Sequence, residues 1–417
     1  GMRLPATKLK SRKRMQESDG LPLHKGLLFN LGGLSCDCTE EVIDVMAKAL
    51  SGENGEKPDI WAKHESPYVQ SLIELFSSRG LLRLDKIKEQ LDAWMANKNF
   101  VGGKTFSKPR FGPTPHELNL VELYLEAIPA EKFGIDDWAL LIDYLVAKYM
   151  PADSLSTEAE WLAVRSVFMG KVQANIDSLG LAGADTVLAA MPNTTKAAEE
   201  TFKPSDVIKN TLAYERARCA DNVQAVADST KHRLKSLIMA HEQQRLLGSK
   251  PPAHALQQDL FDTFADLNRD WRRIATTEVG DAAGNGLIGS LKAGTKVRRI
   301  EQYKSACPFC KKIHGLVFTV VDPDKKDKNW DTEVWVGKTN IGRSAAKQKR
   351  TAEGMVDRTD SEMWKVPAGT VHPHCRGTWH VLDDAKPADD PDFAKWLDNL
   401  FASNPQKFGE DVPEKKS

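Results

Sequence analysis

Apolar side chains in this chain recur mostly at steps of three and four from about residue 39 to residue 274, the period of an amphipathic helix. Val42, Ile43, Val45, Met46 and Leu50 follow Thr39, a candidate N-cap. Ser66 and then Pro67 predict a second helix start, because proline at the first helical position gives up an N–H that would be unbonded there. Val69, Leu72, Ile73 and Phe76 continue that helix, and Leu84, Ile87, Leu91 and Trp94 share one helical face. Residues 97–115 are rich in Gly, Pro and Lys and read as a loop. Helices are predicted over 117–128, 136–149 and 157–178, the last opened by Thr157 and Glu160 at capping-box spacing. Asp206 to Leu247 has neither Gly nor Pro and predicts one long helix, or two with a hidden break. Its stripe of Val223, Val226, Thr230, Leu234, Leu237 and Ile238 suits a strut packed along one side, and His241 on it reads as a packed or hydrogen-bonded histidine.

Pro251-Pro252 breaks the pattern, and Leu256, Leu260, Phe264, Leu267, Trp271 and Ile274 form a new helical face. Beyond Gly280 the texture changes. Gly284, Gly286, Gly289 and Gly294 punctuate the chain, and Val317 to Val321 predicts a short strand. The expected fold class is therefore α+β: a mainly α-helical N-terminal region with a long helix, then a small α+β C-terminal module stapled by a metal. The expected divisions are a basic N-terminal tail and entry segment (1–38), a helical region (39–250), an α+β domain (251–382) and an acidic C-terminal tail (383–417). The α+β domain carries a polar inserted loop at about 322–365. The tail has one short docking helix carrying Phe393, Trp396, Leu397 and Leu400.

Charge refines these divisions. The chain of 417 residues is neutral overall, with 58 Lys and Arg against 58 Asp and Glu. That neutrality is an average: residues 1–14 hold six cations and no acid, 15–266 hold 26 cations and 36 acids, 267–382 hold 21 and 13, and 383–417 hold 5 and 9. The whole chain is no polyanion-coating protein, but the segment 267–382 has the charge of one. No run of about 18 apolar residues is present, so no membrane-spanning helix is expected. The basic segment Arg3 to Arg14 reads as a solvated tail or a phosphate-touching arm, and no apolar stretch follows it as in a secretory signal. Gly1 before Met2 reads as a cleavage scar.

Six cysteines make no disulfide framework at this length, and a reducing compartment is expected. Cys307-Pro-Phe-Cys310 and His372-Pro-His-Cys375 instead offer paired ligands, since a two-residue spacer lets both side chains of a pair turn onto one ion. Cys307, Cys310, His372 and Cys375 form a Cys₃His set suited to a closed tetrahedral zinc, with His374 as the alternative imidazole. The competing readings are metal-free packed cysteines, a redox pair at Cys307 and Cys310, and a catalytic metal or Cys/His nucleophile. Cys36-Asp-Cys38 has no second pair, and Cys219 reads as a small buried hydrophobe. No Walker-type loop, Gly-x-Ser-x-Gly elbow or His-Glu-x-x-His is present, and no catalytic residue is assigned.

Trp271-Arg272-Arg273-Ile274-Ala275-Thr276-Thr277-Glu278, then Cys307-x2-Cys310, a following glycine and strand (Gly315 to Val321), and His372-Pro373-His374-Cys375-Arg376 occur in an order that resembles the phage Mu F-like domain of head morphogenesis (minor head) proteins of tailed phages. The resemblance covers about residues 256–382. Many members of that family read Cys-Arg-Cys where this chain has Cys375-Arg376-Gly377, and their stretch between the two ligand pairs is shorter. The resemblance implies a low-copy component of the virion or procapsid interior, made in the host cytoplasm. Such a component binds portal and capsid or scaffold proteins and serves head assembly, DNA packaging or ejection without catalysing a reaction.

It also implies a structural role for Arg272, Arg273, Thr277, Glu278 and Arg376. Glu278 is expected either to pair with a nearby cation, fixing the helix end against the metal module, or to be ordinary surface charge. Two further function classes stay open. One is a metal-dependent hydrolase or toxin-like enzyme around His372, His374 and Cys375, with Asp360 or Glu362 as base. The other is non-specific DNA binding through Lys292, Lys296, Arg298, Arg299, Lys347, Lys349 and Arg350. No small-molecule substrate is expected.

Overall fold

The computed structural model describes residues 62–104, 107–176, 181–248, 255–382 and 390–408. The basic tail, the helix expected after Thr39, Cys36, Cys38 and the expected boundary at 250/251 lie outside them. In chain order the helical body comprises α1 (Pro67–Met95), α2 (Pro115–Glu126), α3 (Ile135–Tyr149), α4 (Ala152–Asn175), α5 (Leu181–Ala190), α6 (Thr195–Phe202), α7 (Asp206–Leu246) and α8 (Ala255–Gly289). The module that follows holds β1 (Lys296–Ile300), α9 (Pro308–Ile313), β2 (Val317–Val320), β3 (Glu333–Val334), β4 (Gln348–Thr351), β5 (Gly354–Asp357) and β6 (Thr378–Val381). Helices α10 (Pro391–Ser403) and α11 (Pro405–Phe408) end the described chain. The chain is thus mostly helical with a small C-terminal sheet region, as the sequence pattern implies.

Helix α4 is the hub of the body, since every residue from Trp161 to Val172 is buried, Leu162, Ala163, Val164, Val167, Phe168, Met169 and Val172 among them. It begins at Ala152, five residues before the expected start. Thr157 sits inside the helix, its hydroxyl donating to the Asp153 carbonyl (2.9 Å), so the Thr157–Glu160 capping box does not form. A box does form between Thr114 and Glu117 at the start of α2. Ser66 makes no capping bond either; its hydroxyl donates to Gln173 (2.9 Å).

The long helix α7 is unbroken, and its 41 residues span about 60 Å. It runs antiparallel to α8, and ion pairs mark the rungs: His241 with Asp259 (2.8 Å), Arg233 with Asp270 (2.9 Å), then Arg218 with Glu278 (3.2 Å) and with Asp281. Helix α8 continues through Gly280, Gly284, Gly286 and Gly289, where the sequence predicts a break. These glycines serve close approach. A Cβ on Gly286 would overlap the Val167 carbonyl of α4, one on Gly170 would overlap the Ala283 carbonyl of α8, and one on Gly284 would press on Ala368. Gly294, at φ +92°, makes the turn that the pattern assigned to all of them.

Four strands form a sheet in the order β3-β2-β1-β6, with β1 antiparallel to β2 and β6, and β2 parallel to β3. Val297 lies opposite Phe318 on one side and Val381 on the other. With Val320 and Trp379 these residues cover the inner face, and Lys296, Arg298 and His380 face solvent. The body's apolar core runs from Tyr68 to Ala283, and the module's from Leu287 to Val381 with Ala174 of α4, so the two cores meet within α8. The expected docking helix is α10. Asp390 caps it and pairs with buried Lys171, and Phe393 packs against Phe168 and Phe202.

The stretch 322–365, expected as a surface insertion, has an interior of its own. Lys338 is 2 % exposed; its ammonium lies about 5 to 6 Å from the rings of Phe318, Trp330 and Trp335 and donates to the carbonyls of Trp330 and Glu333 (2.7 Å each). Burial pushes its pKa down to about 7.

Two outcomes follow. Gly286→Ala should destabilise the fold by about 3 kcal/mol in chemical unfolding, because backbone faces backbone and neither can yield. Around Arg218, buried Glu215 and Glu278 are both pushed upward, first by burial and, for Glu278, against the pull of Arg218. A carboxyl raised in the fold contributes stability that is complete below its unfolded value and is lost as pH rises through its folded value. Unfolding midpoints measured from pH 5 to 9 should therefore fall with pH, and should fall less in Glu215→Gln, which keeps the acceptor for the Asn285 amide (3.1 Å).

Candidate metal centre

Cys307 is the N-cap of α9: its sulfur accepts from the Cys310 amide (3.4 Å) and its carbonyl from the Lys311 amide (2.9 Å), with Pro308 at the first helical position. This tight start turns both thiols to one side. The opposing loop, Val371–Arg376, closes with the Cys375 amide donating to the His372 carbonyl (3.1 Å), and His374 adopts φ +72°. Helix α8 holds this loop from beneath. The His374 amide donates to the Thr277 hydroxyl (2.9 Å), and the amide and hydroxyl of Thr370 donate to the Asp281 carboxylate (2.9 and 3.1 Å).

The two ligand pairs converge. His372 Nε2 lies 3.3 Å from both Cys307 Sγ and Cys310 Sγ. The donor atoms of Cys307, Cys310 and His372 form one group within 4.8 Å of each other, and those of Glu301, Cys310 and Cys375 form a second. A tetrahedral ion with bonds of about 2.3 Å to sulfur and 2.0 Å to nitrogen sets S···N at roughly 3.5 Å, so Cys307, Cys310 and His372 need only small movements to hold one. His372 is oriented for this: Nδ1 meets the Pro373 carbonyl at 2.7 Å, which aims Nε2 at the sulfurs, and Trp364 stacks on the ring.

The electrostatics favour ligation too. Cys307 is held down to about 4 by the hydrogen bond from the Cys310 thiol and by His372, against its burial. Cys375 is held well below the usual thiol range: burial acts against this, and the Cys310 thiol, Arg299 and His372 outweigh it. His372, which burial alone would lower, is raised to about 9 by Cys307 and Cys375. These shifts run in the direction that favours thiolates at Cys307 and Cys375.

Behind Cys375 lies a buried pair that spacing did not reveal as part of the site. The Arg299 guanidinium donates to Glu301 (2.8 Å), to the Gly369 carbonyl (3.1 Å) and to Cys375 Sγ (3.6 Å). The Glu301 carboxylate stands 3.6 and 3.7 Å from the same sulfur, and burial with the thiolate pushes it up to about 8. A Cβ on Gly377 would run into that carboxylate. In this chain Glu301 thus fills the space beside position 377. The alternation of Lys296-Val297-Arg298-Arg299 could have shown Arg299 on the inner face with Val297. Nothing local in the sequence marks Glu301 or Trp364.

His374 is not brought to the sulfurs. Its Nε2 faces Arg376 (3.4 Å) and it belongs to neither donor group, so the geometry favours His372 over it as the imidazole ligand. Thr277 supports the metal loop, whereas Glu278 binds Arg218 of α7 and Cys219 packs beside it (4.0 Å). Glu278 thus pairs with a nearby cation, as expected, but that cation belongs to α7 and not to the module. Arg272 pairs with Glu74 of α1 (2.7 Å), Arg273 with Asp270 (3.5 Å), and buried Arg376 accepts at its carbonyl from Glu65 (3.1 Å). Of the phosphate candidates, Arg299 is 1 % exposed and is excluded by burial, and Lys349 is engaged by Glu362. Lys292, Lys296, Arg298, Lys347 and Arg350 are exposed.

No family model matches this chain, and neither does any curated protein or solved structure compared with it. No helix among the described residues is long and apolar enough to cross a membrane.

Metal content of purified protein separates the two imidazoles. His372→Ala and Cys375→Ser should each lose most bound metal, and His374→Ala should retain it; loss in His374→Ala alone would reverse the ligand assignment.

Proposed function

We propose that this chain is a structural minor head protein of a tailed phage or prophage, of the phage Mu F-like kind, with zinc as the staple of its C-terminal module. In this reading it sits in the virion or procapsid interior after assembly in the host cytoplasm, and binds portal and capsid or scaffold proteins. The supporting observation is convergence. The Thr277 segment, the Cys307–Cys310 pair and the His372–Cys375 loop are far apart in sequence, yet Thr277 hydrogen-bonds the loop whose His372 meets both cysteines.

The donor set favours a structural ion over a catalytic one. Three sulfurs and one imidazole would complete a tetrahedron once Cys375 joins Cys307, Cys310 and His372, whereas catalytic zinc keeps three protein ligands and an open position beside a general base. Glu301 is tied to Arg299, Asp360 to Lys365 (2.8 Å) and Glu362 to Lys349, so each nearby carboxylate is already engaged. The chain is accordingly proposed not to be an enzyme.

Purified protein should carry about one zinc per chain and co-elute with the portal protein of the same phage or prophage in size-exclusion chromatography. Peptide mapping of purified virions should find it at a few copies per particle. Absence from virions together with no portal or capsid binding would refute the reading, as would a hydrolytic activity abolished by Glu301→Gln.

A further inference from the structure

Strands β4 and β5 form a two-stranded ribbon paired only with itself, with Gln348 opposite Asp357, Lys349 opposite Val356 and Arg350 opposite Met355. Each strand is about 13 Å long, and every residue of β5 is exposed, Met355 at 57 %. A lone hairpin of this size is marginal in water. Here its root is fixed. The Arg358 amide donates to the Lys347 carbonyl (2.7 Å), the Ser344 amide to the Glu362 carbonyl (2.8 Å) and the Trp364 amide to the Ser344 carbonyl (2.9 Å). The indole of Trp364 donates to the Arg343 carbonyl (3.2 Å), and its ring lies between Phe309 and the stacked ring of His372. An exposed arm is thus anchored on a ligand of the metal centre.

From Arg343 to Arg358 the arm and its root carry five cations, Arg343, Lys347, Lys349, Arg350 and Arg358, against two acids, Glu353 and Asp357. Lys347 and Arg350 are exposed, and their side chains make no ion pair among the described residues. The ribbon has no aromatic residue on which an unpaired base could stack. Cations without stacking platforms suit the phosphates of a duplex, and a two-stranded ribbon has the width that a major groove admits.

We infer that the β4–β5 ribbon is a sequence-independent contact arm for double-stranded DNA, held in place by the metal centre through Trp364 and His372. The inference rests on the reading of the module as a metal-stapled binding unit. It commits to duplex DNA over an acidic protein because the arm offers separated cations on a narrow ribbon.

The test is fluorescence anisotropy of the full chain with a labelled mixed-sequence duplex at 50 to 200 mM salt, with zinc content and circular dichroism recorded for every variant. Wild type should bind in the range of about 10⁻⁴ to 10⁻⁶ M, weakening steeply with salt. The double variant Lys347→Gln/Arg350→Gln should keep its zinc and its helicity, lose about tenfold or more in affinity, and lower the salt slope by about two. Lys296→Gln/Arg298→Gln on the open sheet face and Lys196→Gln on α6 should bind nearly as wild type. No wild-type binding, undiminished binding by the ribbon variant, or a loss confined to the sheet-face variant would each overturn the inference. So would polyglutamate displacing the duplex at equal charge concentration, which would mark an acidic-protein site. Absence of zinc from wild type fails the staple reading separately, whatever the DNA result.

Discussion

The close crossing of α4 and α8 sets the terms for the rest of the molecule. Gly170 and Gly286 let the two helices approach until backbone meets backbone, and Gly284 lets the Ala368–Gly369 strip of the module lie against the opposite side of α8. One helix therefore serves two cores. Its Leu260-to-Ala283 portion belongs to the helical body, and Leu287 and Ile288 belong to the module. Glycines inside a helix cost roughly 1 kcal/mol each relative to alanine, and four of them in ten residues are tolerable because packing on both sides returns more than that. The same closeness gives Thr277 and Asp281 direct access to the loop that carries His372 and Cys375.

Electrostatics ties the same helix to its other neighbours. Arg218 faces Glu215, Glu278 and Asp281, three carboxylates against one guanidinium, at the contact of α7 and α8. Removing the cation would leave buried negative charge uncompensated, the costly half of any buried ion pair. Arg272 reaches Glu74 of α1, and Gln173 of α4 bridges Ser66 to the backbone of Trp379 (2.9 Å each). The acidic balance of the body and the basic balance of the module are thus partly consumed at specific contacts, and only the cations left over, Lys296, Arg298, Lys347 and Arg350 among them, define the module's surface.

Periodicity and the absence of helix breakers made helices of the body legible, since α3 and α7 begin and end within a residue of the expected spans 136–149 and 206–247. It failed where one residue type serves two ends. Glycine reads as punctuation in sequence, but within α8 its missing side chain matters and its backbone freedom does not. Thr157 had the right spacing for a cap and the wrong position, because Pro151 starts the helix a turn and a half earlier. At the site, Cys307, Cys310, His372 and Cys375 were legible because ligand chemistry restricts residue type and spacing together. Glu301, Arg299 and Trp364 were not, because nothing but the tertiary fold places them around Cys375 and His372.

The long gap between the ligand pairs weakens the motif in sequence, yet it is the reason a metal would matter here. Joining Cys310 to His372 closes a loop of some sixty residues, and closure entropy grows only slowly with length, by about 0.6 kcal/mol per doubling. Holding so long an insertion therefore costs little more than holding a compact one. The insertion also helps to hold itself. Lys338 fills a box of Phe318, Trp330 and Trp335, so the segment brings its own small core to the sheet. Trp364 then returns the chain to His372 with its ring stacked on the imidazole. The insertion is thus held at both ends of its course, by the sheet where it leaves and by the candidate ligand His372 where it returns. What projects between those anchors is the ribbon, and its root is tied through Trp364 to the candidate ligand His372.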